Sequence, residues 1–543
     1  MKKLLNNRFF IISSLLFTIL LLGGYGTEIT QIDIRFALMV QDMTRYGIGL
    51  FPTINNVEYG DYPSGWVWCA WVTTFGGRLV NQWLLTLPCI IAGITTLVMT
   101  WRTGECIGSK IGLYAAALLW GTPGFLYLTA GFGIDVPVMA AGSIMLYFLG
   151  RKTSASTLGW IFFILLIFVF CTRGPMGFVL LGAGVGGYLL AEREWEKVLL
   201  CGATGAVTSL LCIFLWYWTV QRQGGEALWK WFLHCQFLSR MGKSDYSTYF
   251  VDYLFSFAPV TLLAVGGILF RRTRERLKPL LGIIGYILLP LIILSIPACK
   301  HSRYMAMTLP AFAILSACVW AEIVKNPSIR SVLSKIAKMS EGRIYLLMSV
   351  GILILAIIGY FISAPKFLPW GHFLCAVLLI AGLERMGGEM LRRFVPIIAF
   401  GIFLIVAVFP LLAALENSQN FVNIVERECP EKVYLYEMGP DHDDLKYVLF
   451  VPPEKRHRIH YLYSSVPSKD GYYQRMYPAK TLDEQISSIT ENDLMILRNR
   501  EAELVPLKEE AKQHGLKIEI KHTGSMGHRE FVAVRLIRQE ISK

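Results

Sequence analysis

The chain of 543 residues is 54% hydrophobic and 13% aromatic, and only 17% of its residues are charged. Soluble domains carry roughly 25% charged residues and would not keep this much apolar surface in water, so the composition excludes a soluble protein and predicts a polytopic membrane protein. The net charge of +13 does not indicate a nucleic-acid partner, because Lys and Arg collect in the cytoplasmic loops of membrane proteins and the sequence contains no nucleic-acid-binding motif.

Apolar segments of spanning length recur along most of the chain. The first follows MKKLLNNR and lacks a small-x-small cleavage site, so we interpret it as an uncleaved transmembrane helix that starts in the cytoplasm. A bilayer needs about 20 apolar residues per helix, and on that basis about 13 spans are predicted. They lie near 9–25, 81–100, 111–129, 134–149, 158–171, 175–191, 198–219, 250–270, 279–297, 304–322, 344–363, 368–384 and 394–414.

The basic segment RRTRERLK at 271–278 fixes the orientation, because Lys and Arg favour the cytoplasmic side. The N-terminus then lies inside, and the loops at 26–80 and 220–249 lie outside. The chain is predicted to divide into a transmembrane domain at 1–417, with the active-site face formed by those two loops, and an extracytoplasmic domain at 418–543.

The segment 418–543 predicts a small α/β domain, because short apolar runs alternate with helical patterns. The runs are KVYLYEM, DLMILRN, LKIEI and EFVAVRLI, and the helical patterns are LDEQISSI and EAELVPLKEEAKQHG. Gly515 is expected to end the second helix. No disulfide framework or metal site is expected, since no C-x-x-C pair occurs among the 11 cysteines.

The two outer loops are too apolar for disorder. The first is rich in aromatics and predicts helices lying in the membrane interface, where Trp and Tyr are favoured. Its aromatic residues include Tyr46, Phe51, Tyr59, Tyr62, Trp66, Trp68 and Trp71. The second contains ALWKWFLHCQFLSRMGKSDYSTYF, an amphipathic basic-aromatic segment that carries His234.

Three carboxylates are placed at the outer face by this topology: Asp33, Asp61 and Asp135. An acidic residue at the top of a span is costly and therefore points to a function. Plainer interpretations stay open for each. Asp135 would complement the dipole of the helix that it begins, Asp33 would be an interfacial surface group, and Asp61 in YGDYPSG would form a turn.

Four cations face the same compartment: Arg35, Arg173, Lys300 and Arg303. Arg173 alone would anchor the end of a span, and Lys300 and Arg303 would reach the interface from span ends. Cations suit a phosphate, carboxylates suit activation of a hydroxyl nucleophile, and clefts between spans suit a lipid tail. Together they predict an enzyme that handles a lipid-linked phosphate substrate.

Five weak motifs follow one another along this face. They are IDIRFALMVQDMTRYGIGLFPTINNVEY, DYPSGWVWCAW, Asp135 at a span start, RGP at 173–175 and RYMAMTLP. This order resembles the membrane glycosyltransferases of the GT-C fold, in particular the aminoarabinose transferases that modify lipid A and the protein O-mannosyltransferases. The chain departs from their pattern at Ile32, where that family has an acidic residue, and at Tyr62, where it has a lysine.

The resemblance implies transfer of a sugar from a polyprenyl-phosphate donor to an envelope acceptor, a lipid A-like lipid or alternatively a protein, at the outer face of a bacterial inner membrane. It implies no cofactor, although some GT-C enzymes use a divalent cation, which a lone Asp33 would bind weakly. By role, the implied residues are Asp33, Asp61 and Asp135 for catalysis, Arg35, Arg173, Lys300 and Arg303 for the donor phosphate, and Tyr59, Tyr62, His234 and Tyr304 for substrate contacts.

Two other classes of function stay open at this point. A transporter or flippase is disfavoured because the spans show no pair of Gly/Pro-broken segments in repeated halves. A non-catalytic scaffold of envelope assembly would tolerate substitution of Asp33 and Asp135, whereas a transferase would not.

Overall fold

The computed structural model describes residues 28–29, 33–60, 62–236, 238, 251, 253–269, 280–297, 301–323, 404–405, 418–438, 445–464, 479–527 and 529–538. The part before residue 324 is mainly helical. Its helices are α1 (Asp33–Tyr46), α2 (Gly65–Thr73), α3 (Gln82–Ile107), α4 (Ser109–Trp120), α5 (Pro123–Ala130), α6 (Val136–Gly150), α7 (Ala155–Arg173), α8 (Pro175–Ala191), α9 (Trp195–Gln223), α10 (Gly225–Gln236), α11 (Val260–Leu269), α12 (Leu281–Ser295) and, after a 3₁₀ segment at Ser302–Thr308, α13 (Leu309–Ile323).

Within the described residues, four helical segments are long and apolar enough to cross a membrane. They are Gln82–Ile107, Ala155–Arg173, Trp195–Gln223 and Ser302–Ile323. Three shorter apolar helices, α6, α8 and α12, coincide with predicted spans. The predicted spans at 9–25, 344–363 and 368–384 and most of 394–414 lie outside the described residues, so the predicted total of about 13 stays a prediction.

The predicted span at 111–129 is not one straight helix. The helices Lys110–Trp120 and Pro123–Ala130 meet at an angle of 67°. Thr122 between them is extended and Pro123 opens α5, as expected because the residue before a proline disfavours the helical region. Gly131, directly after α5, lies beside the first outer loop, since a Cβ atom there would be 3.4 Å from Asp33 Oδ2.

The first outer loop contains two helices, as predicted, and also a short hairpin that the sequence did not reveal. Strands β1 (Thr53–Ile54) and β2 (Val57–Glu58) are antiparallel. Asn55 and Asn56 between them have φ values of 55° and 60°, the left-handed conformation that two-residue hairpin turns require and that Asn tolerates. In the second loop, the first half of the predicted amphipathic segment lies in α10, and residues 237 and 239–250 lie outside the described residues.

Helix α2 approaches the end of α7 very closely at Gly65. A Cβ atom at this position would lie 2.5 Å from the Cys171 carbonyl oxygen, and a backbone atom cannot rotate away. The contact holds the segment before α2 against the turn that follows Arg173, where Pro63 lies beside Gly174.

We therefore expect Gly65→Ala to lower the free energy of unfolding by about 1–3 kcal/mol, as overpacking does. A thermal unfolding curve of the detergent-solubilised protein measures the effect. Gly182→Ala is the control, because a Cβ there meets nothing within 4 Å. Equal melting temperatures for the two variants would contradict the prediction.

The C-terminal segment forms an α/β domain, as the sequence predicted, and its sheet is mixed. Its six strands lie in the order β5-β4-β3-β6-β8-β7, with four parallel strands and an antiparallel hairpin at one edge. Gly515 has φ +69° and follows the helix that it was predicted to end. The elements are α14 (Ser418–Arg427), β3 (Val433–Tyr436), α15 (Leu445–Phe450), β4 (Ile459–Tyr463), β5 (Ala479–Thr481), α16 (Leu482–Gln485), β6 (Leu494–Arg498), α17 (Glu501–Gln513), β7 (Leu516–Met526) and β8 (Arg529–Arg538).

One face of this sheet belongs to the same apolar core as the membrane helices. Successive side chains of a strand point to opposite faces. Accordingly Val433 and Leu435 join the large core that includes α1, whereas Tyr434 and Tyr436 join a separate core with α17. Helix α15 packs directly against α1, so the domain is joined to the outer loops by buried apolar contacts.

Candidate functional site

Arg173 is placed by the turn between two membrane helices. It is the last residue of α7, and the next residue, Gly174, has φ +72° before Pro175 opens α8. A left-handed residue followed by proline ends one helix and starts the next without intervening loop. The RGP motif therefore fixes the guanidinium at the helix end, where it is 1% exposed.

A buried ion cluster joins Arg173 to Asp135. Arg173 Nε donates to Asp135 Oδ1 at 2.8 Å, and Asp135 Oδ2 lies 3.6 Å from Arg303 Nε. Asp135 precedes α6, but its side chain accepts no hydrogen bond from a backbone N–H of that helix. The carboxylate therefore pairs with the two cations rather than capping the helix. With two cations and one carboxylate, the cluster keeps an excess of positive charge.

Two tyrosines enclose the Arg173 guanidinium. Its Cζ lies 5.4 Å from the ring centre of Tyr62 and 5.2 Å from that of Tyr304, within the range of cation–π attraction. Among the described residues, Arg173 Nη1 has no hydrogen-bond partner, although this atom is buried. Because a buried donor without an acceptor is costly, the cluster is suited to receive an anionic oxygen.

Asp33 is buried separately at the start of α1, outside the candidate spans. Its Oδ1 accepts from the Phe132 backbone N–H and its Oδ2 from Gln82 Nε2, both at 2.8 Å. Burial raises the pKa of Asp33 to about 6, and the two hydrogen bonds partly oppose the increase in pKa. The surface-carboxylate interpretation is therefore wrong, and the carboxyl group is suited to exchange a proton near neutral pH.

An aromatic layer connects Asp33 with the Arg173 cluster. Phe36, three residues after Asp33, lies 5.0 Å from the Phe132 ring and 6.2 Å from the Tyr62 ring, centre to centre. Phe132 also presents its N–H to Asp33, and its chain continues to Asp135 three residues later. The loop between α5 and α6 thus places both carboxylates in one region.

Arg35 and Tyr59 form a second contact on this face. Arg35 Nη1 donates to Tyr59 Oη at 2.7 Å, and the Tyr59 ring packs edge-on against Trp231 of α10 at 5.5 Å. The two outer loops therefore meet at Tyr59.

Of the predicted site residues, Asp61, Lys300 and His234 are not among the contacts described above. Asp61 and Lys300 lie outside the described residues. His234 is exposed on α10, and its substrate contact stays a prediction. Tyr59, Tyr62 and Tyr304 are buried, and Arg303 is one-third exposed.

Sequence reasoning missed Gln82 and the backbone of Phe132. Gln82 is a buried polar residue at the start of an apolar helix, which was the available signal. In the described part of the chain, no group of three or more His, Cys, Asp or Glu side chains could hold a metal ion, and the optional divalent cation stays untested.

Comparison with known structures identifies the fold. The ArnT crystal structure from Cupriavidus metallidurans bound to undecaprenyl phosphate aligns with 96% of this chain and 97% of its own, with a TM-score of 0.66 and 15% identity. The chain has the GT-C fold. The apo structure of the same ArnT gives the same coverage, with a TM-score of 0.64 and 15% identity.

Two sequence comparisons agree with this GT-C assignment. Residues 66–218 match the family model described as dolichyl-phosphate-mannose-protein mannosyltransferase. A curated relative from Enterobacter sp. (strain 638), an undecaprenyl phosphate-alpha-4-amino-4-deoxy-L-arabinose arabinosyl transferase, is 21% identical over 315 residues. That alignment covers 54% of this chain and 56% of the relative, so the chain spans about half the length of the curated relative that it matches.

Proposed function

We propose that the protein is a glycosyltransferase of the outer face of a bacterial inner membrane, with its C-terminal domain in the periplasm. It moves a sugar from a polyprenyl-phosphate donor to an envelope acceptor, which we propose to be a lipid A-like lipid. The main support for this proposal is the buried, positively charged cluster around Arg173, whose Nη1 has no hydrogen-bond partner among the described residues. A donor phosphate supplies the missing negative oxygen.

The proposed chemistry is a displacement at the anomeric carbon. An acceptor oxygen forms a new bond to this carbon, the bond to the donor phosphate oxygen breaks, and polyprenyl phosphate leaves with the bonding electrons. Arg173 and Arg303 stabilise the charge that develops on the leaving phosphate. Asp135 holds both cations in place, and no nucleotide is required.

Asp33 is the proposed base. If the acceptor is a hydroxyl, its carboxylate takes the proton as the new bond forms; if the acceptor is a phosphate, it orients that group. A carboxyl group whose pKa lies near 6 is a stronger base than an exposed aspartate. Arg35 and Tyr59 line the same face and are proposed to contact substrate, as are Tyr62 and Tyr304. The roles of Asp61, Lys300 and His234 stay proposals from the sequence.

A protein acceptor is the second candidate. The match of residues 66–218 to the protein mannosyltransferase model favours it, because that model is named for transfer to protein. A non-catalytic scaffold requires no proton acceptor near neutral pH at Asp33.

Mass spectrometry of envelope fractions tests these proposals. Lipid and glycoprotein fractions are compared from cells with the gene, without it, and with the gene encoding Asp33→Asn. Loss of a sugar-sized mass from the lipid fraction in the last two supports the lipid acceptor, and loss from the glycoprotein fraction supports the protein acceptor. An unchanged envelope in the deletion strain overturns the transferase proposal.

The Gln82–Asp33 contact gives a pH prediction. Activity should fall as pH drops through about 6, because Asp33 becomes protonated there. Gln82 stabilises the charged form, so Gln82→Leu raises the pKa and moves the acid limb upward by about one pH unit. Initial rates of sugar transfer between pH 4.5 and 8 measure it. Gln223→Leu, at the exposed end of α9, is the control, and an acid limb shared by Gln82→Leu and wild type would refute the assignment.

A further inference from the structure

The C-terminal domain contacts the chain on both sides of Asp33, just before helix α1 and near the end of that helix. Before the helix, Glu28 accepts from the backbone N–H groups of Ser418 and Gln419, both at 2.9 Å. These groups begin α14, and a helix N-terminus favours a carboxylate. The chain is thus tied to the C-terminal domain five residues before Asp33.

The second contact lies near the other end of α1 and centres on Arg456. Its guanidinium donates to Gln41 Oε1, and its Nη1 lies 3.8 Å from Asp42 Oδ1. Arg45 of α1 donates in return to the Pro453 carbonyl oxygen at 2.7 Å. The Arg456 and Asp42 side chains are 9% and 6% exposed, so this is a buried polar contact between the two parts of the chain.

Asp42 also contacts the β1–β2 hairpin. Its Oδ2 accepts from the Asn56 backbone N–H at 3.1 Å, in the turn between β1 and β2. Tyr59 follows that hairpin and bonds to Arg35 on α1. Asp42 therefore links Arg456 to both elements that carry Asp33, Arg35 and Tyr59.

We propose that Arg456 is a positioning residue that holds α1 and the β1–β2 hairpin in the geometry of the site. The α/β domain is then a structural part of the catalytic face rather than an independent attachment. The effect on catalysis rests on the proposed function, but the effect on structure does not. A displacement of about 1 Å at a reacting group lowers rates up to about 100-fold, so the contact has a measurable consequence.

Arg458 provides a matched control. It lies on the same 3₁₀ segment as Arg456, at Pro453–Arg458. It donates to the Pro430 carbonyl oxygen and to Glu426, each at 2.7 Å, and these partners lie within the C-terminal domain. Arg458→Gln therefore perturbs the domain without removing a contact to α1.

The first test is hydrogen exchange of the full chain in lipid nanodiscs. Arg456→Gln should accelerate amide exchange in residues 33–46 and 53–60 by about tenfold or more, because local opening sets the exchange rate. Arg458→Gln should leave these two segments unchanged. Unaltered exchange in Arg456→Gln, or an equal increase in both variants, would overturn the proposal.

The second test separates positioning from binding. Arg456→Gln should lower kcat about tenfold with the Kd for undecaprenyl phosphate within about twofold of wild type, and Arg456→Lys should restore part of kcat. Asp42→Asn combined with Arg456→Gln should lower kcat no further than Arg456→Gln alone. Faster exchange with unchanged kcat would remove the positioning role. If wild type itself makes no product, the proposed function fails and the exchange result still decides the structural inference.

Discussion

Arg173→Gln should abolish sugar transfer and weaken binding of undecaprenyl phosphate by about 100-fold or more. The substitution removes the cation that bonds Asp135 at 2.8 Å and cancels the excess positive charge of the cluster. Asp135 is then left with Arg303 alone, at 3.6 Å. Loss of the hydrogen-bonded partner of a buried charge also lowers the free energy of unfolding by up to about 3–5 kcal/mol. Binding of undecaprenyl phosphate to the purified protein in nanodiscs, followed by native mass spectrometry, measures the effect.

The Arg173 experiment needs a control for folding. Asp135→Asn combined with Arg173→Gln removes the buried carboxylate that has lost its hydrogen-bonded partner and should recover thermal stability. It should not recover phosphate binding, because the guanidinium whose Nη1 is proposed to bind the phosphate is still absent. Arg222→Gln tests the loss of an arginine from an aromatic contact elsewhere, since Arg222 stacks on Trp218 at 4.1 Å on an exposed helix end. Arg173→Lys keeps the charge but loses the planar fork, and should be intermediate. A folded double variant that binds undecaprenyl phosphate as well as wild type would refute the assignment.

Asp33→Asn should lower kcat about 1,000-fold with little change in donor binding, because general base catalysis contributes about 10²–10⁴ in rate. Asparagine keeps an oxygen for the Phe132 N–H, so the fold should persist. A single-turnover assay with radiolabelled donor in proteoliposomes separates the chemical step from binding. Glu226→Gln, an exposed carboxylate of α10, serves as the matched control. Activity of Asp33→Asn above about a tenth of wild type would exclude Asp33 as the base.

The sequence was informative where charge interrupts an apolar pattern. Asp135 and Arg173 each stand at the end of an apolar run, and this is sufficient to select them as candidates. Their pairing was not predictable, because 38 residues separate them and only the packing of α6 against α7 brings them together. The fold was predicted from the resemblance to GT-C glycosyltransferases, and the structural alignment confirms this fold.

The features that the sequence did not predict depend on contacts between distant segments, which a single sequence does not reveal. The sequence predicted one span at 111–129 across the bend between α4 and α5, because the residues on both sides of the bend are mainly apolar. Strand β4 was not predicted, although its parallel pairing with β3 and β5 buries three of its five residues. Gln82 was passed over since a glutamine at the start of a span also suits the interface.

The backbone contact between Phe132 and Asp33 limits what mutational scanning can detect. An amide N–H is shared by every residue type except proline, so nearly any side chain at position 132 would preserve this hydrogen bond. A scan of position 132 would therefore report only the size and shape that the aromatic layer requires. Replacement of that one amide by an ester, through chemical synthesis or suppression with a hydroxy acid, would reveal a contribution that ordinary genetics leaves invisible.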